Sequence, residues 1–385
     1  MRKLNVLIAG STGYIGVQLV KLLSNHQNIN IKYLCGNSSV GKNISFFDKN
    51  LKNKKLPKIV KFNKAYLKNV DIIFTALPNG EAQEISKHLL VNNRLIDLSA
   101  DFRLEDPKEY KKWYKINHKA VKNISNSIYA IPEISKKYLK NYKIIGCPGC
   151  YPTSILLPLL PLLKKNLISH RNIIIDSKSG YSGAGRGIHK SNARKNLYES
   201  LSAYGVGKHR HSSEIHQEIA KVCKKHFKFI FTPHLTPMFR GILSTIYIDI
   251  PNKINAKKIY NNLKKFYKKS IFIKFAKFNT PISTNDVINT NNFYIALVDW
   301  DNKSLSFPYY VDDHDENLTG HDPENPNDTP TQKEVDAAYA DKEEEMPGLG
   351  LPAGIPGMGM GMNLYGMMGM GGMGTMGMEM EADPV

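Results

Sequence analysis

Apolar and polar positions follow two rhythms over the first 150 residues. "LNVLIAG", "INIKYLCG", "DIIFTALP", "RLIDLSA" and "YKIIG" are short, nearly continuous apolar runs closed by Gly, Pro or small residues. That is the pattern of buried strands. Between them, "YIGVQLVKLLSNH" and "GEAQEISKHLLVNN" carry the 3.6-residue spacing of helices. Strand–helix alternation of this kind predicts an α/β fold with a doubly wound parallel (Rossmann) sheet over residues 1–149. A second set of strand patterns follows: "NIIIDSKSG", "RGILSTIYIDI", "IFIKFAKF" and "NFYIALVDW". With the helical "YPTSILLPLLPLLKKN" and the basic amphipathic "NAKKIYNNLKKFYKKS", they predict a second, α+β domain over 150–300. Both rhythms stop after that. Residues 301–385 run through an acidic polar stretch into Met/Gly low complexity, a composition expected to be disordered.

Charge divides along the same line. The 385-residue chain carries a net +19, yet residues 311–385 hold 16 Asp or Glu against Lys333 and Lys342. The body is therefore strongly basic. Its lysines are scattered among Asn and Ile, and no nucleic-acid motif accompanies them. An anionic small substrate fits this charge, and no nucleic-acid partner is expected. No apolar run approaches the ~18 residues of a membrane span. "MRKLNVLIAG" enters a strand without a signal-peptide pattern, and four cysteines make no disulfide scaffold. A cytoplasmic location with reduced thiols is expected.

Candidate chemistry begins at "GSTGYIG", where Gly10, Gly13 and Gly16 stand between the first strand and first helix. Gly10 permits the tight turn, Gly13 lets a pyrophosphate approach the helix N-terminus, and Gly16 permits close helix–strand packing. Ser11, Thr12, Tyr14 and Ile15 complete the candidate cofactor loop. The second strand ends in "CGNSSVGK", without the acid that would bind an NAD ribose. Ser38, Ser39 and Lys42 suit a 2′-phosphate, so NADP is the expected cofactor.

"GCPGCYPTS" holds Cys147 and Cys150 in C-x-x-C spacing. A redox dithiol, half a zinc site, or one working cysteine are the readings this spacing leaves open. Cys150 follows a strand and a Pro-Gly turn and opens a helix, a position that lowers a thiol pKa and makes a nucleophile. "YGVGKHRHSSEIHQE" supplies His209, His211 and His216 as proton carriers or a solvated cluster. Zinc would need both cysteines and two of these histidines. No second cysteine pair exists, and no metal is expected.

Taken in order, "GSTGYIG", "ALPNGEAQE", "DLSADFRL", "YAIPEI", "PGCYPT", "SGYSGAGR", "KHRHSSEIHQE" and "FTPHLTPMFRGILSTIY" resemble the N-acetyl-gamma-glutamyl-phosphate reductases of arginine biosynthesis. The resemblance implies a Cys150 thioester formed from an acyl phosphate and reduced with NADPH. It implies His209 as proton carrier, with His211 second. By resemblance Pro78, Asn79, Ser182 and Gly183 lie on the cofactor, and Arg103, Arg186, Arg210 and Arg240 are candidate anchors for the anionic substrate. A homo-oligomer is expected. Aspartate-semialdehyde dehydrogenase, an aminoadipyl-phosphate-type reductase and an inactive binding protein on the same fold are the alternatives.

The resemblance ends near residue 300. The family's C-terminal return to the cofactor domain, similar to "DNLxKGAxGQAVQNMN", is not found downstream. The sequence after "FYIALVDWDN" reads as foreign or frameshifted, and a poorly active or unstable chain is the expectation.

Overall fold

Seven short strands, every pair parallel, form the first sheet. They are β1 (Leu4–Ala9), β2 (Ile29–Cys35), β3 (Ile59–Val60), β4 (Ile72–Thr75), β5 (Arg94–Asp97), β6 (Ser127–Tyr129) and β7 (Ile144–Gly146), in the order β3-β2-β1-β4-β5-β7-β6. The computed structural model describes residues 2–184, 200–223, 226–288, 290–300 and 304–311. Arg186 and the acidic and Met/Gly-rich stretch lie outside the described residues.

The continuous apolar character of β1 has a direct cause. Val6 and Ile8 pack into one cluster with Val17, Val20 and Leu23 of α1 (Tyr14–Ser24). Leu7 and Ala9 face the opposite cluster, with Leu67, Leu95 and Ile85 of α2 (Glu81–Ser86). Both faces are covered, so no position of the strand is left to be polar. The order reverses beside β1, whose neighbours are β2 and β4. This switch point is where open α/β sheets bind ligands.

α2 is shorter than its periodic sequence predicts. Asn93 is the reason: its side chain takes the Leu90 N–H and donates to the carbonyls of Leu67 and Val70. Those bonds turn "HLLVNN" back toward the sheet. The short helices α3 (Pro107–Tyr114), α4 (Val121–Ile124) and α5 (Pro132–Ser135) complete this half.

The second sheet is mixed. It comprises β8 (Ile173–Ser179), β9 (Ser202–Ala203), β10 (Phe229–Leu235), β11 (Ile242–Asp249), β12 (Ile273–Phe275), β13 (Phe293–Ile295), β14 (Val298–Asp299) and β15 (Ser304–Val311). The path is β12-β13-β15-β11-β8-β10-β9, with β14 on β15. Helices α6 (Cys150–Lys164), α7 (His211–Val222) and α8 (Ala256–Phe266) accompany it. β15 pairs with β11 from Asp249↔Ser304 to Ile242↔Val311, so the sheet continues past the predicted boundary at residue 300.

α6 is buried along nearly its whole length in spite of Pro158 and Pro161. A proline has no N–H, so Pro161 leaves the Leu157 carbonyl without its helical donor. The buried Tyr267 hydroxyl donates to that carbonyl. One turn of an otherwise broken ladder is thus closed from outside the helix.

Candidate active site

Cys150 is the first residue of α6. The strand–turn–helix corner predicted from "PGC" is formed by β7, the Cys147–Gly149 turn and α6. Cys147 stands one residue beyond β7, its N–H donated to the Asp97 carbonyl at 2.7 Å. Burial, then the charge of Asp97, push its thiol up to about 12. A thiol held protonated suits neither a resolving cysteine nor a metal ligand. None of the four cysteines is in a disulfide.

His211 opens α7 as Cys150 opens α6. Its ring lies on the turn before the cysteine: a Cβ added to Gly149 would fall 2.4 Å from His211 Nε2. Only glycine leaves room for the imidazole there. His209 is the next ring, 4.8 Å from His211 centroid to centroid. Its Nδ1 accepts the His211 backbone N–H at 3.2 Å. Both histidines are less basic than usual. Burial and then Arg210 bring His209 to about 4, and burial, then Arg103, His209 and Arg210, hold His211 well below its ordinary value. His216, third in the motif, is separate: it is exposed, with its ring tilted against Phe227 at 4.9 Å.

A carboxylate that the sequence did not single out ties these groups together. Glu214 is fully buried on the first turn of α7. Its Oε2 accepts the Gly149 N–H at 2.9 Å and the Tyr129 hydroxyl at 3.1 Å. Its Oε1 accepts from Arg103 Nη1 at 3.2 Å and lies 3.8 Å from His211 Nε2. Arg103 also donates to the carbonyls of Cys147 and Leu98. Burial opposes its charge, but Glu214, Tyr114, Tyr129 and Asp97 together more than offset that. Arg103, a candidate substrate anchor in "DFRL", is thus bonded to the nucleophile turn. Arg210 is exposed, with its guanidinium 5.4 Å above the Tyr114 ring. Arg240 lies over the Phe239 ring at 5.1 Å.

The cofactor loop occupies the switch point. Gly10 has φ +84°, and a Cβ on it would meet the Ala76 carbonyl oxygen at 2.1 Å. A Cβ on Gly16 would meet the Gly10 carbonyl oxygen at the same distance, which is the close packing expected of it. A cleft of about 540 Å³ opens above, lined among others by Gly10, Thr12, Gly13, Ser38 and Pro78. The glycine cradle and an acid-free β2 terminus fit a phosphorylated dinucleotide. Several predicted residues do not line the cleft. Ser11 is buried with its hydroxyl on the Cys35 carbonyl, and Ser39 is buried. Tyr14, Ile15, Gly16 and Asn79 are off its wall, with Ile15 exposed on α1. Lys42 places its ammonium 4.4 Å over the Phe46 ring. Ser182 and Gly183 sit on another loop, where the Ser182 N–H bonds the Phe239 carbonyl. The Phe239 ring meets Tyr14 edge-on at 6.5 Å, bringing that loop to the glycine turn. A larger cavity of about 920 Å³, between α3, α7 and β10, is lined by neither Cys150 nor His209 nor His211.

Comparison with known proteins gives this arrangement a family. Residues 5–142 match the family described as semialdehyde dehydrogenase, NAD binding domain, and residues 150–306 match semialdehyde dehydrogenase, dimerisation domain. The chain is 38% identical over 296 residues to a probable chloroplastic N-acetyl-gamma-glutamyl-phosphate reductase of Arabidopsis thaliana, covering 77% of this chain and 74% of that one. It is 42% identical over 277 residues to the N-acetyl-gamma-glutamyl-phosphate reductase of Clostridium novyi, covering 71% and 80%. The fold is shared with aspartate semialdehyde dehydrogenase II of Vibrio cholerae, crystallised with ASA (TM-score 0.59, 15% identity, 81% and 94% covered). It is shared too with the NADP-bound aspartate semialdehyde dehydrogenase of Candida albicans (TM-score 0.56, 15% identity, 80% and 93% covered). With such identity over most of both chains, and with its cysteine corner and glycine cradle in place, the chain belongs to the N-acetyl-gamma-glutamyl-phosphate reductase family.

Proposed function

We infer that this chain reduces N-acetyl-glutamyl 5-phosphate to N-acetyl-glutamate 5-semialdehyde and phosphate, the acyl-phosphate reduction of arginine biosynthesis. The observation that carries the reading is the Cys150 corner: a cysteine at a helix N-terminus, with the His211 ring on the residue before it and Glu214 holding that residue's N–H.

Cys150 Sγ attacks the acyl carbon. The carbon–oxygen bond to phosphate breaks, phosphate leaves with the bonding pair, and a thioester remains on Cys150. His211, whose ring touches the nucleophile turn, takes the thiol proton and passes it to the leaving phosphate. This order favours His211 over His209 as proton carrier. His209, with Nδ1 already accepting a hydrogen bond, carries its proton on Nε2 and donates toward the acyl oxygen. The cleft residues Gly10, Thr12, Gly13 and Ser38 would hold NADPH, which when bound supplies the hydride. Arg210 is the better placed anchor for the substrate's carboxylate, since Arg103 is committed to Glu214.

The enzyme is read as a cytoplasmic homo-oligomer. Ile230, Ile174 and Tyr247 lie in register across β10, β8 and β11, all exposed, an apolar row suited to a second copy. Sedimentation should give a species larger than the monomer, and Ile174→Asp should dissociate it.

Two assays test the reaction. Without NADPH, the acyl phosphate should leave the acyl mass on Cys150. With semialdehyde, phosphate and NADP, the reverse reaction should form NADPH, and Cys150→Ser should abolish it. Turnover confined to aspartate semialdehyde, or surviving in Cys150→Ser, would overturn the reading.

A further inference from the structure

Tyr151 follows the nucleophile in sequence and is 2% exposed. It is the hub of an aromatic box. Its ring meets His209 at 5.4 Å and 87°, His211 at 5.9 Å and 68°, and Phe231 at 5.4 Å and 69°. Tyr204 and Phe231 close two more sides of His209, at 5.4 Å and 5.6 Å. Edge-to-face contacts of this kind fix ring orientation as well as burying area. The Tyr151 hydroxyl is used on both sides. It accepts from the Tyr204 hydroxyl at 3.0 Å and donates to the His234 carbonyl of β10 at 3.3 Å. The Tyr204 N–H reaches the neighbouring Pro233 carbonyl at 3.0 Å. The segment bearing the histidines is therefore fastened to β10 by the β9 pairing and, beyond it, by Tyr204 together with one tyrosine beside Cys150.

We propose that Tyr151 is a positioning residue for both histidines: its ring holds His209 and His211 against the Cys150 turn, and its hydroxyl, paired with Tyr204, pins their segment to β10. This rests on the reading of Cys150 as the nucleophile. The titratable and charged groups around His209 are Arg210 and His211 at the start of α7, Tyr151 from the first turn of α6, and Tyr204 from the segment after β9. Removing the Tyr151 ring admits water to His209, the change most directly opposed to its present burial.

The test uses the full-length protein with ¹⁵N-labelled histidine, reading the ring titrations by NMR and assigning His209 with His209→Gln. In Tyr151→Leu the His209 midpoint should rise by about one unit or more toward the ordinary ~6.5. In Tyr151→Phe, which keeps the ring, it should stay low. An unmoved midpoint in the leucine variant overturns the proposal, and so does an equal rise in the phenylalanine variant. If Tyr151→Leu does not fold, Phe231→Leu opens another wall of the box; a smaller rise supports the proposal and none overturns it.

The hydroxyl pair has its own readout. Tyr151→Phe and Tyr204→Phe should each lower kcat about five- to tenfold, the worth of about one hydrogen bond, with little change in KM. The double variant should be no slower than either single one. Additive losses would overturn the coupling. Because the ring titration needs no turnover, an inactive wild type would count against the Cys150 reading alone and leave this test readable.

Discussion

The Gly149 N–H points into the protein and is held at 2.9 Å by Glu214 Oε2. One buried carboxylate thereby sets the turn that aims Cys150, and its other oxygen faces Arg103 and His211. Glu214→Gln keeps a hydrogen-bond acceptor for Gly149 but leaves the Arg103 charge buried without its partner. Breaking one side of such a pair costs about 3–5 kcal/mol. Urea denaturation should show a loss of that size. Removing both charges in Arg103→Met/Glu214→Leu should cost less than the two single losses together.

The two cysteines of the C-x-x-C should part company under alkylation. Cys147 is held protonated by burial and by Asp97, whereas Cys150 stands at a helix N-terminus. Iodoacetamide at neutral pH should label Cys150 first and block turnover, with mass spectrometry finding Cys147 unmodified. Cys147→Ala should retain activity at a stability cost of ~1 kcal/mol. Equal labelling of both would restore the dithiol reading.

Why the first half was legible and the site's support was not is a matter of what burial does to sequence. β1 is buried on both faces, so Val6 to Ala9 must all be apolar or small, and one segment announces itself. α7 offers no such signal, since only Ile215 and Ile219 of its apolar residues are fully buried and its inner face carries His211 and Glu214. Glu214 looks in sequence like an exposed acid in a first helical turn, where the dipole favours it. Its burial depends on Arg103, more than a hundred residues away, and no local pattern records that pairing. β15 was hidden because its sequence coincides with the change of composition. Cys150 and His211 stand out in the sequence as candidates because helix starts and the residues around them are local. Tyr151 lies within the same motif, but its contacts exist only where α6, β10 and the histidine segment meet.

The glycine loop should separate fold from cofactor binding. Gly10 adopts φ +84° and a Cβ there meets backbone at 2.1 Å, while a Cβ on Gly13 finds nothing nearer than 3.7 Å. Gly10→Ala should cost ~2–5 kcal/mol through left-handed strain and overpacking. Gly13→Ala should change stability by only about 0.5 kcal/mol. It should still weaken NADPH binding, because its methyl enters the path of the pyrophosphate. Thermal unfolding and NADPH fluorescence titration on the two variants give both halves of the comparison.

Acid should destabilise the protein through its histidines. His209 and His211 have folded-state values below the unfolded ~6.5, so the unfolded chain binds protons that the folded chain refuses. Their contribution is complete above pH 6.5 and declines as pH falls, for His209 down to about 4. His118 acts in the same sense, whereas Asp97, held above its ordinary range by burial, acts in the opposite one. The useful quantity is therefore a difference. Between pH 7 and 5 the Tm of the wild type should fall more steeply than that of His209→Gln, and parallel curves would sink the assignment.

The Tyr267 hydroxyl should matter more than its distance from the site suggests. Pro161 deprives the Leu157 carbonyl of its helical donor, and this hydroxyl replaces it in the buried middle of α6. Tyr267→Phe removes the donor without changing the packed volume, leaving a buried carbonyl unsatisfied at a cost of ~1–3 kcal/mol. Restoring the missing N–H offers a complement: Pro161→Ala gives the carbonyl a donor within the helix. In that background Tyr267→Phe should cost little. Denaturant unfolding of the four proteins measures the coupling, and a full loss on both backgrounds would mean that the hydroxyl does not substitute for the missing helical bond.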